Sequence, residues 1–140
     1  MTNLTLAQSY LVKAQKRLKA LAVLLSEEAY SDVVREAQEI VELALKGMLR
    51  AIAVDPPRWH DVGGILKEVT HRFAPEVQEA VPELAAISQR LRREREFAFY
   101  GDDDFIPTSE YSREDGQKAR EDAQLVVAWA ARVIPPPEAR

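Results

Sequence analysis

Apolar residues in this chain recur at intervals of three and four, and nowhere do they alternate over a stretch long enough for a strand. That regularity restricts the fold to packed helices. Leu4, Ala7, Leu11, Ala14, Leu18, Leu21 and Leu25 form one stripe on a long first helix, with Lys13, Lys16, Arg17 and Lys19 lying off it. A second helix runs from about Tyr30 to Ile52, with Tyr30, Val33, Ala37, Ile40, Val41, Ala44, Leu45, Met48 and Ile52 inward. Asp55-Pro56-Pro57 ends it, because proline lacks an amide proton and restricts the residue before it.

The later pattern predicts three shorter helices. Asp61 is placed to cap the start of the third, whose stripe is Val62, Ile65, Leu66 and Val69, and Gly63-Gly64 weaken its first turn. Pro75 is expected to interrupt the next stretch, and Pro82 to open a fourth helix carrying Leu84, Ile87 and Leu91. A loop spans Gly101 to Tyr111 and contains Pro107. Ser112 with Asp115 resembles a capping box for the last helix, with Ala119, Ala123, Val126, Val127, Ala130, Val133 and Ile134 inward. Pro135-Pro136-Pro137 stops that helix. The expectation is an all-α, single-domain up-and-down bundle of about five helices, with its core over residues 5–134 and a frayed tail at 135–140.

At 140 residues the chain is long enough for one hydrophobic core. A net charge of −4 gives no bulk-charge case for nucleic-acid binding, so any such contact must come from a local basic patch. Cysteine is absent, which excludes disulfides and thiol chemistry. The first residues lack a basic segment followed by an apolar run, and nothing approaches the roughly 18 apolar residues of a membrane span. The expected location is the cytoplasm, with no membrane contact.

The regular pattern breaks at the end of the fourth helix. Continuing from Leu84, Ile87 and Leu91 leads to Glu94 or Arg95 and then Ala98, so a charge falls where an apolar residue is due. An unpaired buried guanidinium is costly, so Arg95 is expected either to pair, to line a wet groove, or to lie where the helix leaves the core. Arg90, Arg92, Arg93 and Arg95 could grip phosphate or form a solvated face with Glu94 and Glu96. Tyr100 could stack on a base. Asp102-Asp103-Asp104 lacks the alternating spacing of a calcium loop and suits a turn or pairing with the arginines, so no metal is expected. His60 could serve as a nucleotide contact, a general acid or base, or a loop cap. His71 at a helix end is accounted for by the helix dipole. No Gly-x-Ser-x-Gly elbow or glycine-rich phosphate loop is present, and no cofactor is expected.

Three segments in order resemble the HEPN family, small helical bundles named for higher eukaryote and prokaryote nucleotide-binding. The second helix carries Glu39-Ile40-Val41-Glu42-Leu43-Ala44-Leu45-Lys46-Gly47-Met48-Leu49; a proline-bearing loop leads to His60-Asp61-Val62; and Phe99-Tyr100-Gly101-Asp102, Phe105-Ile106-Pro107 and Tyr111 precede the last helix. Ribonucleases of that family resemble one another in an arginine followed after four to six residues by a histidine, at a site shared across a dimer. No arginine here is so followed. Arg95 with Tyr100 keeps the spacing, but a phenol of pKa about 10 is a poor proton shuttle at neutral pH.

The resemblance therefore implies a non-catalytic module that binds a nucleotide or nucleic acid, as a homodimer or as accessory partner to a minimal nucleotidyltransferase. Arg95, Tyr100, His60, Lys46, Arg92 and Asp102 are the candidate contacts. The alternatives are a toxin-type ribonuclease with an altered site, and a structural dimer or adaptor with Trp129 in an exposed face.

Overall fold

A computed structural model of the chain describes residues 2–58 and 61–137. Helix α1 spans Thr2–Ser26, α2 Tyr30–Ala51, α3 Val62–Glu68, α4 Pro75–Phe99, α5 Pro107–Glu110 and α6 Arg113–Val133, with a 3-10 turn at Thr70–Arg72. The described residues form no strand, and the fold is an all-α up-and-down bundle. Helix α2 is its axis, packing against α1, α4 and α6. The stripe expected for α2 explains this position: Val33, Ala37, Ile40, Val41, Ala44, Leu45 and Met48 are all buried, and Val34 and Leu49 widen the apolar arc. In α1 the alanines and one leucine of the stripe, Ala7, Ala14 and Leu21, have no exposed surface, while Leu11, Leu18 and Leu25 cover their flanks. Small residues there let the α1 backbone approach α2 and α6 closely.

One helix start differs from the sequence expectation. Pro75 begins α4, where its missing amide proton would have had no partner anyway. Pro82 lies inside α4 and removes one hydrogen bond from an exposed face. Burial of Val77, Val81, Leu84, Ile87 and Leu91 on the other face keeps the helix continuous through it. In α3, Asp61 caps as expected, its Oδ1 accepting from the Gly63 amide at 3.1 Å. Gly63 itself is a packing device: a Cβ there would stand 3.0 Å from the Ala85 backbone, so only glycine lets α3 lie this close to α4. Trp129 is half-buried against the core with Arg132 stacked on its ring at 4.4 Å, so it is not the open face the sequence suggested.

After α4 the chain turns sharply. Gly101 takes φ +69, where L side chains are strained, and Asp102 and Phe105 exchange backbone hydrogen bonds of 3.0 and 3.1 Å. Ser112 and Asp115 close the capping box that opens α6, with bonds of 3.2 Å (Asp115 amide to Ser112 Oγ) and 2.8 Å (Ser112 amide to Asp115 Oδ2). No described helix is long and apolar enough to cross a membrane.

Candidate functional site

The final turns of α4 carry two sets of charges, because neighbouring residues on a helix point about 100° apart. Leu91 and Ala98 hold the helix to the core, while Glu94 and Arg95 between them are half-buried. Glu94 and Arg90, four residues apart, turn toward α6. Arg95 turns toward α2.

The α6 side forms a cleft of about 340 Å³ floored by Val34, Leu91 and Ala119 and edged by Phe105 and Tyr111. Most of its charged groups are engaged with one another or with a helix cap. Arg90 and Lys118 converge on the buried Asp122, Lys118 Nζ at 3.1 Å from Oδ1 and Arg90 bonded to Oδ2. The Tyr111 hydroxyl donates to Glu94 Oε2 at 2.6 Å. Burial first, and that bond second, push the Tyr111 phenol well above its ordinary range, so it stays a donor. Asp115 is occupied by the Ser112 cap. Two cations face four carboxylates, Glu94, Glu110, Asp115 and Asp122, around this cleft. A phosphate entering it would meet net repulsion.

The α2 side has the opposite balance. Arg95 Nη2 lies 3.4 Å from Glu39 Oε1, and Arg35 Nε lies 3.6 Å from the same oxygen. Two guanidiniums thus share one carboxylate. Arg95 Nε is buried with no hydrogen-bond acceptor. The Arg35 guanidinium sits 4.7 Å above the Phe99 ring, and Tyr100 meets that ring edge-on at 4.8 Å. Phe99 is 51% and Tyr100 70% exposed, so both rings present faces to a ligand. Positive charge, an unfilled donor and open aromatic surface therefore meet at one ledge.

The sequence candidates divide accordingly. Arg95 and Tyr100 are brought to the same end of α4 and linked through Glu39, Arg35 and Phe99. Lys46 lies two turns further along α2, about 10 Å on, and pairs with Glu42 at 3.9 Å. Arg92 is half-buried and already engaged. Asp102 is exposed, and its Oδ1 accepts from the Asp104 amide at 2.9 Å, which shapes the turn after α4. His60 lies outside the described residues. Among the described residues no three histidine, aspartate or glutamate side chains gather to hold a metal.

Sequence reasoning missed Glu39, Arg35 and Phe99 as parts of the ledge, and Asp122 as the anchor of the cleft. Asp122 did leave a signal: it falls between Ala119 and Val126 on the apolar stripe of α6, the same kind of break that marks Arg95. Arg35 and Glu39 are four apart on α2 and read as an ordinary surface pair; only the arrival of α4 gives them a role.

The family model of the HEPN domain matches residues 7–134. The Methanocaldococcus jannaschii protein named "Putative toxin MJ1304" is 25% identical over 131 residues, an alignment covering 89% of this chain and 86% of that protein. No solved structure matches the chain.

Proposed function

The chain belongs to the HEPN domain family, and from that premise we propose that it is a non-catalytic nucleotide- or nucleic-acid-binding module whose ligand sits on the ledge at the end of α4. The observation that carries this reading is the Arg95 guanidinium, tied to Glu39 through one nitrogen while its buried Nε–H finds no acceptor. A phosphate oxygen supplies that acceptor with a charge-assisted bond, and Arg35 shares the remaining negative charge. Phe99 and Tyr100 offer stacking surface to a base, which needs no particular sequence. Lys46, Arg92 and Asp102 are outer contacts at most, each already engaged elsewhere.

In this proposal the module acts as a homodimer or beside a small nucleotidyltransferase, since no residue set for nucleotidyl transfer stands on the ledge. A second reading, a toxin-type ribonuclease, draws its support from the name of the Methanocaldococcus jannaschii relative. Against it stands the lack of a histidine at the expected distance from any arginine, and among the described residues no histidine stands at the ledge.

Calorimetric titration with ATP and with a short single-stranded RNA tests the proposal. Binding is expected for the wild type, and Arg95→Ala should weaken it about ten- to a hundredfold, the range for losing a charged hydrogen bond. No heat with either ligand at millimolar concentration overturns it. RNA cleavage by the purified protein that disappears in Arg95→Ala would transfer the case to the ribonuclease reading.

A further inference from the structure

Three arginines among the described residues bury an Nε–H that finds no acceptor: Arg50, Arg95 and Arg120. The first two are otherwise held. Arg50 donates from Nη1 to Asn3 Oδ1 at 2.7 Å and lies over the Tyr10 ring, and Arg95 holds Glu39. Arg120 makes no hydrogen bond or ion pair with any described residue, although it is half-buried. A guanidinium carries a permanent charge and five donors in a fixed plane; burying its Nε–H without an acceptor is costly, and the terminal nitrogens stay open to a ligand.

Arg120 faces a cavity of about 550 Å³ between the end of α1 and the first three turns of α6, on the opposite side of α6 from Lys118 and the cleft. Arg113, Gln117 and Gln124 line it from the same face of α6, together with Glu121. Arg113 is loosely held, 3.7 Å from the exposed Glu28 and 6.0 Å over the Tyr30 ring, and its side chain is 60% exposed. The α1 wall offers little competition. The Val23, Leu24 and Leu25 carbonyls already accept from the Glu27, Ala29 and Glu28 amides at 3.0, 2.9 and 3.0 Å. The Ser26 hydroxyl is spent on Val23 at 2.7 Å. What remains is donor-rich: two guanidiniums and two amides against one carboxylate.

We infer that this cavity binds phosphate, with the Arg120 fork gripping the phosphoryl oxygens, Arg113 supplying the second positive charge, and Gln117 and Gln124 the flanking donors. Two guanidiniums match a doubly charged phosphoryl group better than a single carboxylate, and bidentate geometry suits it. The cavity has only Leu25 as a large apolar wall, so it takes the phosphate and not a base. Phosphate can reach it from a free phosphorylated small molecule or from the backbone of an RNA strand. This inference does not depend on the ledge at the end of α4.

The test follows the side-chain Nε–H resonance of Arg120 by NMR while the whole protein is titrated with inorganic pyrophosphate and, separately, with a short oligouridine. A saturable shift with pyrophosphate is expected if the source is a small molecule, and a shift with oligouridine alone identifies the backbone as the source; either supports the site. Arg120→Gln keeps the stem of the side chain and should weaken the ligand that shifts by about tenfold or more, the loss of one charged, bidentate contact. Arg95→Ala should leave the Arg120 shift with pyrophosphate unchanged. An Arg120 resonance that neither ligand moves overturns the inference, as does unaltered affinity in Arg120→Gln. The resonance is read in the wild-type protein, so the test decides the matter even where the variant folds poorly.

Discussion

The two flanks of the last turns of α4 differ in one physical respect: whether their charges are satisfied. On the α6 flank Arg90 and Lys118 share the buried Asp122, and Glu94 holds the Tyr111 hydroxyl. On the α2 flank two arginines share Glu39, one buried donor is unfilled, and two rings stand exposed. The closed network joins helices, and its charges are already paired with one another. The open one contributes less to stability and retains bonding capacity. Residue type alone does not separate the flanks, since both are built from arginines, acids and aromatic rings. The contrast is broken if substitutions on the closed flank alter binding, or substitutions on the open flank unfold the protein.

The largest expected effect is on the closed flank. Asp122→Ala removes the carboxylate on which Arg90 and Lys118 converge and leaves Arg90 half-buried beside α6. Both cations keep access to water, at 42% and 64% side-chain exposure, so the loss falls below that of a fully buried pair. A cost of about 2–3 kcal/mol is expected, read as a lower midpoint in urea with unchanged slope. Nucleotide or RNA affinity of the folded variant should match the wild type. A tenfold loss of affinity with the fold intact would place the ligand in the cleft.

Tyr100→Ala gives the converse. The ring is mostly exposed and touches Phe99 by its edge, so the urea midpoint should barely move. Binding of single-stranded RNA should weaken by about 1–2 kcal/mol, the scale of losing one stacked base. A ring that can be removed without cost to affinity would reduce the ledge to its arginines and point to a ligand without a base.

Much of this arrangement was legible in the sequence, and the rest was hidden for identifiable reasons. The stripes of α1 and α2, the Asp61 cap and the Ser112–Asp115 box depend on residues a few positions apart, and local spacing reports them directly. The break at Glu94 and Arg95 was visible for the same reason. Which carboxylate Arg95 meets was not, because Glu39 lies on another helix and no local rule links them. Pro82 misled because a local penalty was outweighed by burial along the rest of α4. Gly63 read as a weakness because its neighbour, the backbone of Ala85, is distant in sequence. The candidate residues scattered for a similar reason: Lys46 and Asp102 have suitable chemistry, but α2 and the turn after α4 spend it on Glu42 and on the Asp104 amide.

The smallest effect tests the open flank without altering it. Glu36 sits on α2 beside the ledge, 3.2 Å from Arg17. Burial raises its pKa above the usual 4.5, Arg17 opposes the rise, and the charge of Glu39 adds to it. A carboxyl with a raised folded-state pKa binds more protons folded than unfolded in the window just above 4.5, so stability falls as pH climbs through that window and then levels off. Glu36→Gln should therefore gain on the wild type between about pH 4 and pH 7, by no more than about 0.5 kcal/mol, because the group is partly solvated and Arg17 offsets part of the cost. Ligand binding gives the sharper reading. A phosphate that draws Arg35 and Arg95 from Glu39 leaves more negative charge near Glu36, and its own charge acts in the same direction. The Glu36 carboxyl, followed by carbon-detected NMR, should then titrate at higher pH with nucleotide or RNA bound than without. An unchanged titration at saturating ligand would mean that the shared carboxylate is not disturbed, and that the ligand bypasses the cluster whose unfilled donor marks the ledge as a site.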